Sequence, residues 1–363
     1  MTALKPGSTI GIVGGGQLGR MTALAAARLG YRCHIFSPEA DGPGAQVAAA
    51  ATVADYDDLD ALRGFARAVD VVTYEFENIP LETIRELAEI VPTRPGPRAL
   101  EISQHRLIEK NFARAQGIAT AEFAVVHSAQ DLQSALDNIG YPAILKTCRF
   151  GYDGKGQVRI NSPEEVTQAW ADLATDDAIL EVVVGFEREV SVIVARGLDQ
   201  ATAVYPPVEN RHVNHILDTT IAPADVPVET AAAAIDAALK MATAIGIEGL
   251  LAVEFFVTPD GQVLLNEIAP RPHNSGHWTQ DGAVTDQFEQ LVRAICGLPL
   301  GDAAVAAPTV MQNLIGNDVA EWPRLLAAPR ARLHLYGKAE SRPGRKMGHV
   351  NWLGGPPPKA ANI

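Results

Sequence analysis

Residues 250–278, LLAVEFFVTPDGQVLLNEIAPRPHNSGHW, decide how the rest of the chain is read. An apolar run is followed by a turn, a second apolar run and a dense polar loop. Pro259 presets φ, Asp260 hydrogen-bonds to nearby backbone, and Gly261 accepts a positive φ, so the two runs fold into a hairpin. Folding about Pro259-Asp260 sets Glu254 opposite Leu265 and Asn266, with Glu267 one diagonal away and within cross-strand reach. A carboxylate in so apolar a run is costly unless a metal or a partner compensates it. Glu254, Glu267 and Asn266 offer oxygen donors only, which suits Mg2+, a hard ion that shares its shell with nucleotide phosphates. Arg271, His273, Asn274 and Ser275 follow at once and can hold an anionic reactant beside that ion. The competing reading is a pair of salt-bridged glutamates on half-exposed strands.

Around the hairpin lies an ordinary globular composition, with 47% hydrophobic and 20% charged residues. A chain of 363 residues is long enough for two or three domains. Its net charge of −13 leaves no excess of cations for phosphate backbones or anionic lipid, so neither nucleic acid nor membrane is an expected partner. Cys33, Cys148 and Cys296 lie far apart with no paired spacing, which fits a reducing compartment and excludes a cysteine-based zinc knuckle. The first residues lack a signal-peptide pattern and no later run reaches transmembrane length, so the expected location is cytoplasmic.

The opening TIGIVGGGQLG, residues 9–19, reads as a strand, a glycine turn and the start of a helix that Gly30 stops, with RCHIF as the next strand. Gly14, Gly16 and Gly19 match the dinucleotide fingerprint, but Ser37-Pro38 replaces the acidic residue wanted after the second strand. An anion pocket at the helix start, or a purely structural turn, fits better than NAD. VDVVTYEFENIP, residues 69–80, is a buried strand that runs into Glu75, Glu77 and Asn78. Those acids either hold an amine or ribose hydroxyls at the strand's carboxyl end or cap the next helix. PTRPGPR, residues 92–98, reads as a domain boundary. The helix after it, about 103–116, shows Ile108, Phe112 and Ala115 on one face. Arg106, in its first turn, opposes the helix dipole and is either incidental or aimed at a ligand.

The central unit YPAILKTCRFGYDGKGQVRI, residues 141–160, carries Lys146 on a strand and a loop of three glycines ending at Gln157. Backbone N–H groups of Gly151, Gly154 and Gly156 can converge on phosphates, with charge from Lys146 and Lys155; the loop joins strand to strand, as in a kinase glycine-rich hairpin. Glu181, Val182, Val183 and Val184 end a strand whose edge can meet an adenine ring. Glu189 opens the following strand. His212 and His215 suggest hydrogen-bonding roles ahead of zinc, because no third soft ligand lies near them. Arg342, Arg345, Lys346 and His349 concentrate positive charge in an acidic chain and read as a phosphate site, or else as a solvated turn.

Taken together, GGGQLGRM (14–21), YEFENIP (74–80), GYDGKGQ (151–157), FEREVSVIVAR (186–196), NEIAPRPHNSGHWT (266–279), HLYGK (334–338) and RPGRKMGHV (342–350) resemble the ATP-grasp superfamily. The match is closest to its 5-(carboxyamino)imidazole ribonucleotide synthase family and runs to about residue 355. The resemblance implies an α/β and α+β multidomain chain: a Rossmann-like pre-ATP-grasp domain over 1–98, an ATP-grasp region over 99–300 with a lid at about 120–185, a small domain over 301–355, and a disordered tail over 356–363. It implies an ATP-dependent carbon–nitrogen ligase of purine biosynthesis. Its substrates would be 5-aminoimidazole ribonucleotide and bicarbonate, its intermediate carboxyphosphate, and its assembly a homodimer; a related ligase using formate is the alternative. By the same resemblance Arg106 and Lys146 contact nucleotide phosphates, and Gly151, Tyr152, Asp153, Gly154, Lys155, Gly156 and Gln157 form the lid over them. Glu181 to Val184 meet adenine, Glu189 the ribose, and His212 another part of the nucleotide. Glu254 and Glu267 hold Mg2+, or Mn2+ in its place, with Asn266 beside them. Arg271, His273, Asn274 and Ser275 surround bicarbonate. Glu75, Tyr152, Asp153, Lys338, Arg345 and Lys346 handle the ribonucleotide, and Asp153 is the candidate proton acceptor. Cys148 departs from the family pattern, which places a basic residue there.

Overall fold

The computed structural model of the chain describes residues 3–151 and 154–355. The expectations for Tyr152, Asp153 and the tail from 356 onward lie outside those residues. The first sheet is parallel, in the order Ala50–Val53, Arg32–Ser37, Thr9–Val13, Val71–Tyr74. Apolar runs such as TIGIV suit it because such strands are covered on both faces. The helix Gln17–Arg28 follows the glycine turn and packs Leu18, Met21 and Ala25 inward. Gly14 makes that turn possible at φ +105°, a region hostile to side chains.

Strand Val71–Tyr74 ends at Glu75, whose carboxylate accepts the backbone N–H groups of Gly16 and Gly19, the latter at 2.7 Å. The anion that the glycine turn was expected to attract is therefore supplied by the chain itself. A dinucleotide pyrophosphate would have to displace it. A Cβ at Gly16 would sit 2.7 Å from Glu75 Oε1. Gly16→Ala should accordingly cost roughly 1–3 kcal/mol by overpacking; an unchanged thermal midpoint would contradict this contact.

The proline-rich stretch expected as a boundary is partly helical. Pro97 takes the first position of helix Pro97–Ser103, where its missing N–H costs nothing. Helix Arg106–Ala115 follows, and its inner face differs from the apolar pattern. Ile108 is 40% exposed, whereas Leu107, Glu109, Lys110 and Ala113 are buried.

A second sheet of four antiparallel strands, Phe123–Val126, Ala178–Val182, Ala143–Thr147 and Gln157–Ile160, carries Lys146 and the glycine loop. Helices Ala129–Ile139 and Val166–Leu173 close a separate apolar cluster against it. The third and largest sheet runs from Val263–Ala269 through Gly249–Val257, Arg188–Arg196, Val208–Val213 and Ile216–Ala222 to Thr309–Ile315, Lys346–Leu353 and Ala331–Leu335. Thr220 pairs with Met311, so the C-terminal strands extend the same sheet as the acidic hairpin. That continuity brings Lys346 to the site. Among the described residues no helix is long and apolar enough to cross a membrane.

Candidate active site

The hairpin turns at Thr258–Gln262, with Gly261 at φ +82° and its N–H on the Thr258 carbonyl at 2.9 Å. From the turn Phe255 pairs with Leu265, but the register then shifts and Glu254 faces Glu267 directly. This is a correction to the diagonal placement expected from the turn alone. The extra residue is Asn266, taken up in a β-bulge that re-aims its neighbours. The two carboxylates now stand side by side on one face.

Each carboxylate meets a nitrogen of a neighbouring side chain. Arg106 Nη1 lies 3.3 Å from Glu267 Oε2, and His273 Nε2 lies 3.3 Å from Glu254 Oε1. Burial, then the neighbouring Glu267 charge, pushes Glu254 up to about 8. His273 is held well below its ordinary value by burial and by Arg271, so it is neutral and brings no charge to Glu254. Its Nδ1 accepts from Ser275 N–H at 3.3 Å, which leaves the proton on Nε2, facing Glu254. Two adjacent carboxylates, one of them raised by the other, are short of positive charge, and all their donors are oxygen. The pair fits a Mg2+-sized cation. Since Glu254 must lose its proton to ligate, Mg2+ affinity should rise with pH up to about 8 and then level off, with proton release on binding at pH 7. Calorimetry in two buffers of different ionisation heat reads that proton; no uptake by the buffer would contradict the shift.

The cation expected to meet phosphates is built differently. Lys146 Nζ lies 2.5 Å and Lys110 Nζ 2.9 Å from opposite oxygens of Glu181, and Lys110 also donates to the Asn266 carbonyl at 3.2 Å. Burial works against the Glu181 charge, but the two lysines hold it below the usual carboxylate range. The Glu181 side chain, expected at the adenine edge, is thus committed to Lys146 and Lys110. Sequence reasoning missed Lys110 and also Glu109, which accepts Ile268 N–H and is pushed up to about 8 by burial and by Glu267. Charges on the inward stripe of a helix were the available signal.

Two adjoining cavities meet at the carboxylate pair. One, of about 380 Å3, is lined by Lys146, Gly154, Lys155, Gln157, Val182 to Val184, Glu189, His212 and Asn266. The other, of about 510 Å3, is lined by Glu75, Glu77, Gly151 and Arg271. Arg106, Glu254, Glu267, His273, Asn274 and Lys346 belong to both walls. His212 Nδ1 lies 3.1 Å from Glu189 Oε2, so those two side chains are joined across strands. Arg271 pairs with Glu77 and donates to the Pro272 carbonyl at 2.9 Å. Asn274 and Asn313 exchange amide hydrogen bonds of 3.1 and 2.9 Å.

Several expected contacts fall elsewhere. Ser275 is wholly buried, its hydroxyl 2.7 Å from Ser191 Oγ and 2.8 Å from His273 Nδ1, so it supports His273 and does not face either cavity. Gly156 lines neither cavity, and its carbonyl accepts Thr147 N–H at 2.8 Å. Lys338 and Arg345 stand outside both walls. Lys338 donates to the Lys346 carbonyl at 2.7 Å, and burial and then Arg345 bring it down to about 8; Arg345 donates to the Glu340 carbonyl at 2.9 Å. Burial pushes the Cys148 thiol up to about 12, so it offers no thiolate nucleophile.

A glycine-loop sheet and an acidic hairpin that line one cavity, with the end of a parallel α/β sheet lining the next, define an ATP-grasp enzyme. Residues 111–288 match the ATP-grasp domain, 7–104 the ribonucleotide synthetase preATP-grasp domain, and 309–361 the phosphoribosylaminoimidazole carboxylase C-terminal domain. The N5-carboxyaminoimidazole ribonucleotide synthase of Brucella melitensis is 52% identical, over 96% of this chain and 97% of that protein. The bifunctional purine synthesis protein purC/E of Dictyostelium discoideum is 48% identical over 96% of this chain, which spans only 37% of that longer protein. An ADP complex of an N5-carboxyaminoimidazole ribonucleotide synthetase superposes with a TM-score of 0.94 at 45% identity, covering 97% of this chain and 94% of that one. The Aspergillus clavatus enzyme in complex with ADP and 5-aminoimidazole ribonucleotide gives 0.90 at 30% identity, covering 96% and 94%. The chain belongs to the N5-carboxyaminoimidazole ribonucleotide synthase family, ATP-dependent ligases of purine biosynthesis.

Proposed function

We propose that this chain carboxylates the exocyclic amine of 5-aminoimidazole ribonucleotide with bicarbonate, at the expense of ATP. The observation that carries the reading is the shared wall: Arg106, Glu254, Glu267, His273, Asn274 and Lys346 border both cavities, so a group activated in one is presented to the other. Val182 to Val184 receive the adenine, and Glu189 with His212 the ribose. Lys146 and Arg106 hold the phosphates, and the loop from Gly151 to Gln157 covers them. Glu254 and Glu267 would hold Mg2+, or Mn2+ in its place, and that ion would supply positive charge to the phosphoryl transfer.

Arg271, His273 and Asn274 position bicarbonate so that its oxygen attacks the γ-phosphorus while the bond to ADP breaks. The neutral imidazole of His273 would turn its single N–H, on Nε2, from Glu254 to a bicarbonate oxygen without surrendering its proton. Carboxyphosphate, or CO2 released from it in place, is captured by the amine; phosphate leaves and the amine nitrogen loses one proton, for which Asp153 is the acceptor. Glu75, Tyr152 and Lys346 hold the ribonucleotide, and Lys338 and Arg345, next to Lys346 but outside the cavity walls, would have to move inward to add charge on the 5′-phosphate side. Water must be kept out because carboxyphosphate hydrolyses. The domain limits at 98, 300 and 355, a homodimer and a cytoplasmic location complete the proposal. Bicarbonate labelled with oxygen-18 tests it: one labelled oxygen should appear in inorganic phosphate for each product formed. Unlabelled phosphate alongside full product formation would overturn the carboxyphosphate route.

A further inference from the structure

A second group of ligating side chains touches the larger cavity through Cys148, while its other two members, His105 and Asp177, line neither cavity. A ring nitrogen of His105, the sulfur of Cys148 and a carboxylate oxygen of Asp177 all fall within 4.8 Å of one another. They come from three different elements. His105 caps helix Arg106–Ala115, Cys148 follows strand Ala143–Thr147, and Asp177 precedes strand Ala178–Val182. The backbone holds them in place: Arg106 N–H donates to the Cys148 carbonyl at 3.0 Å, and Cys148 N–H to the Asp177 carbonyl at 3.0 Å.

We propose that His105, Cys148 and Asp177 form a binding site for a soft divalent cation of the zinc type, separate from the Glu254–Glu267 pair. Asp177 joins the group, with its Oδ2 3.1 Å from His105 Nε2 and a carboxylate oxygen within 4.8 Å of the Cys148 sulfur. The other ring nitrogen, His105 Nδ1, is buried without a hydrogen-bond partner. Cys148 is 1% exposed and the Asp177 side chain 38%, so the group opens to solvent on the carboxylate side, where an ion and its water can enter. Zinc bonded at about 2.0–2.3 Å sets tetrahedral donors roughly 3.3–3.8 Å apart, which asks for a contraction of about 1–1.5 Å at the widest pair.

The proton accounting closes. The ion displaces the thiol proton, which goes to water as the metal–sulfur bond forms. If His105 ligates through Nε2, the ring proton moves to Nδ1, the nitrogen now without a partner, and the imidazole stays neutral. One sulfur, one nitrogen and one oxygen select Zn2+ or Cd2+ over Mg2+, whereas the all-oxygen hairpin does the reverse. The two sites therefore sort ions by softness.

The test is titration of the reduced full chain with Cd2+ in excess Mg2+, read by the ultraviolet thiolate-to-cadmium charge-transfer band. The expected result is a band that saturates at one equivalent and vanishes in Cys148→Ser. Asp177→Asn, which keeps every thiol, should weaken binding on the order of tenfold or more, and it serves as the decisive variant should Cys148→Ser not fold. No band in the unaltered chain overturns the proposal. So does a band that persists in Cys148→Ser, which would assign the sulfur to Cys33 or Cys296, or unchanged affinity in Asp177→Asn.

Discussion

Glu267→Gln should lower kcat for ATP-dependent turnover by about 10³-fold, because an amide keeps the shape but not the anionic ligand. Positioned metal charge is worth several kcal/mol to a phosphoryl transfer, and about 4 kcal/mol corresponds to that factor. The same substitution should not unfold the protein. Glu267 is the largest charge acting to raise Glu254, after burial, so removing it relieves a like-charge contact. A coupled assay of ADP release at saturating ATP, beside a thermal melt, separates the two effects. A loss below tenfold would contradict the metal assignment; a collapsed melting temperature would contradict the electrostatic one.

Lys110→Met should produce the largest stability loss of any single cation at the site. Its side chain is 1% exposed, and Glu181, at 4%, would keep only Lys146. Breaking a buried ion pair by removing one partner costs about 3–5 kcal/mol, since the remaining charge stays desolvated. The carbonyl of Asn266 would lose its donor as well. Lys146→Met, at a position lining the 380 Å3 cavity, should cost less stability and more activity. Equal denaturation midpoints for the two variants would show that Lys110 does not anchor the network.

These two residues mark how far the sequence could be read. Glu267 was visible because an acid in an apolar run beside a Pro-Asp-Gly turn demands an explanation. Its partner Glu254 was visible too, but not their direct pairing, because a bulge at Asn266 shifts register by one residue without leaving a trace in composition. Lys110 was hidden by periodicity. Ile108, Phe112 and Ala115 outline a plausible apolar face, yet the helix turns Glu109 and Lys110 inward to meet Ile268, Asn266 and Glu181, partners far away in the chain. The glycine turn announced an anion site, and only the fold reveals that Glu75 fills it. Ser275 sat in a run of polar residues that looked uniformly substrate-facing, while the turn after His273 sends it into the core.

The most direct test of the central claim is steady-state ADP release from Mg-ATP and bicarbonate, with and without 5-aminoimidazole ribonucleotide. The shared wall between the cavities predicts a large stimulation by the ribonucleotide, lost when bicarbonate is removed and not restored by formate. ADP release indifferent to the ribonucleotide, or supported equally by formate, would contradict it.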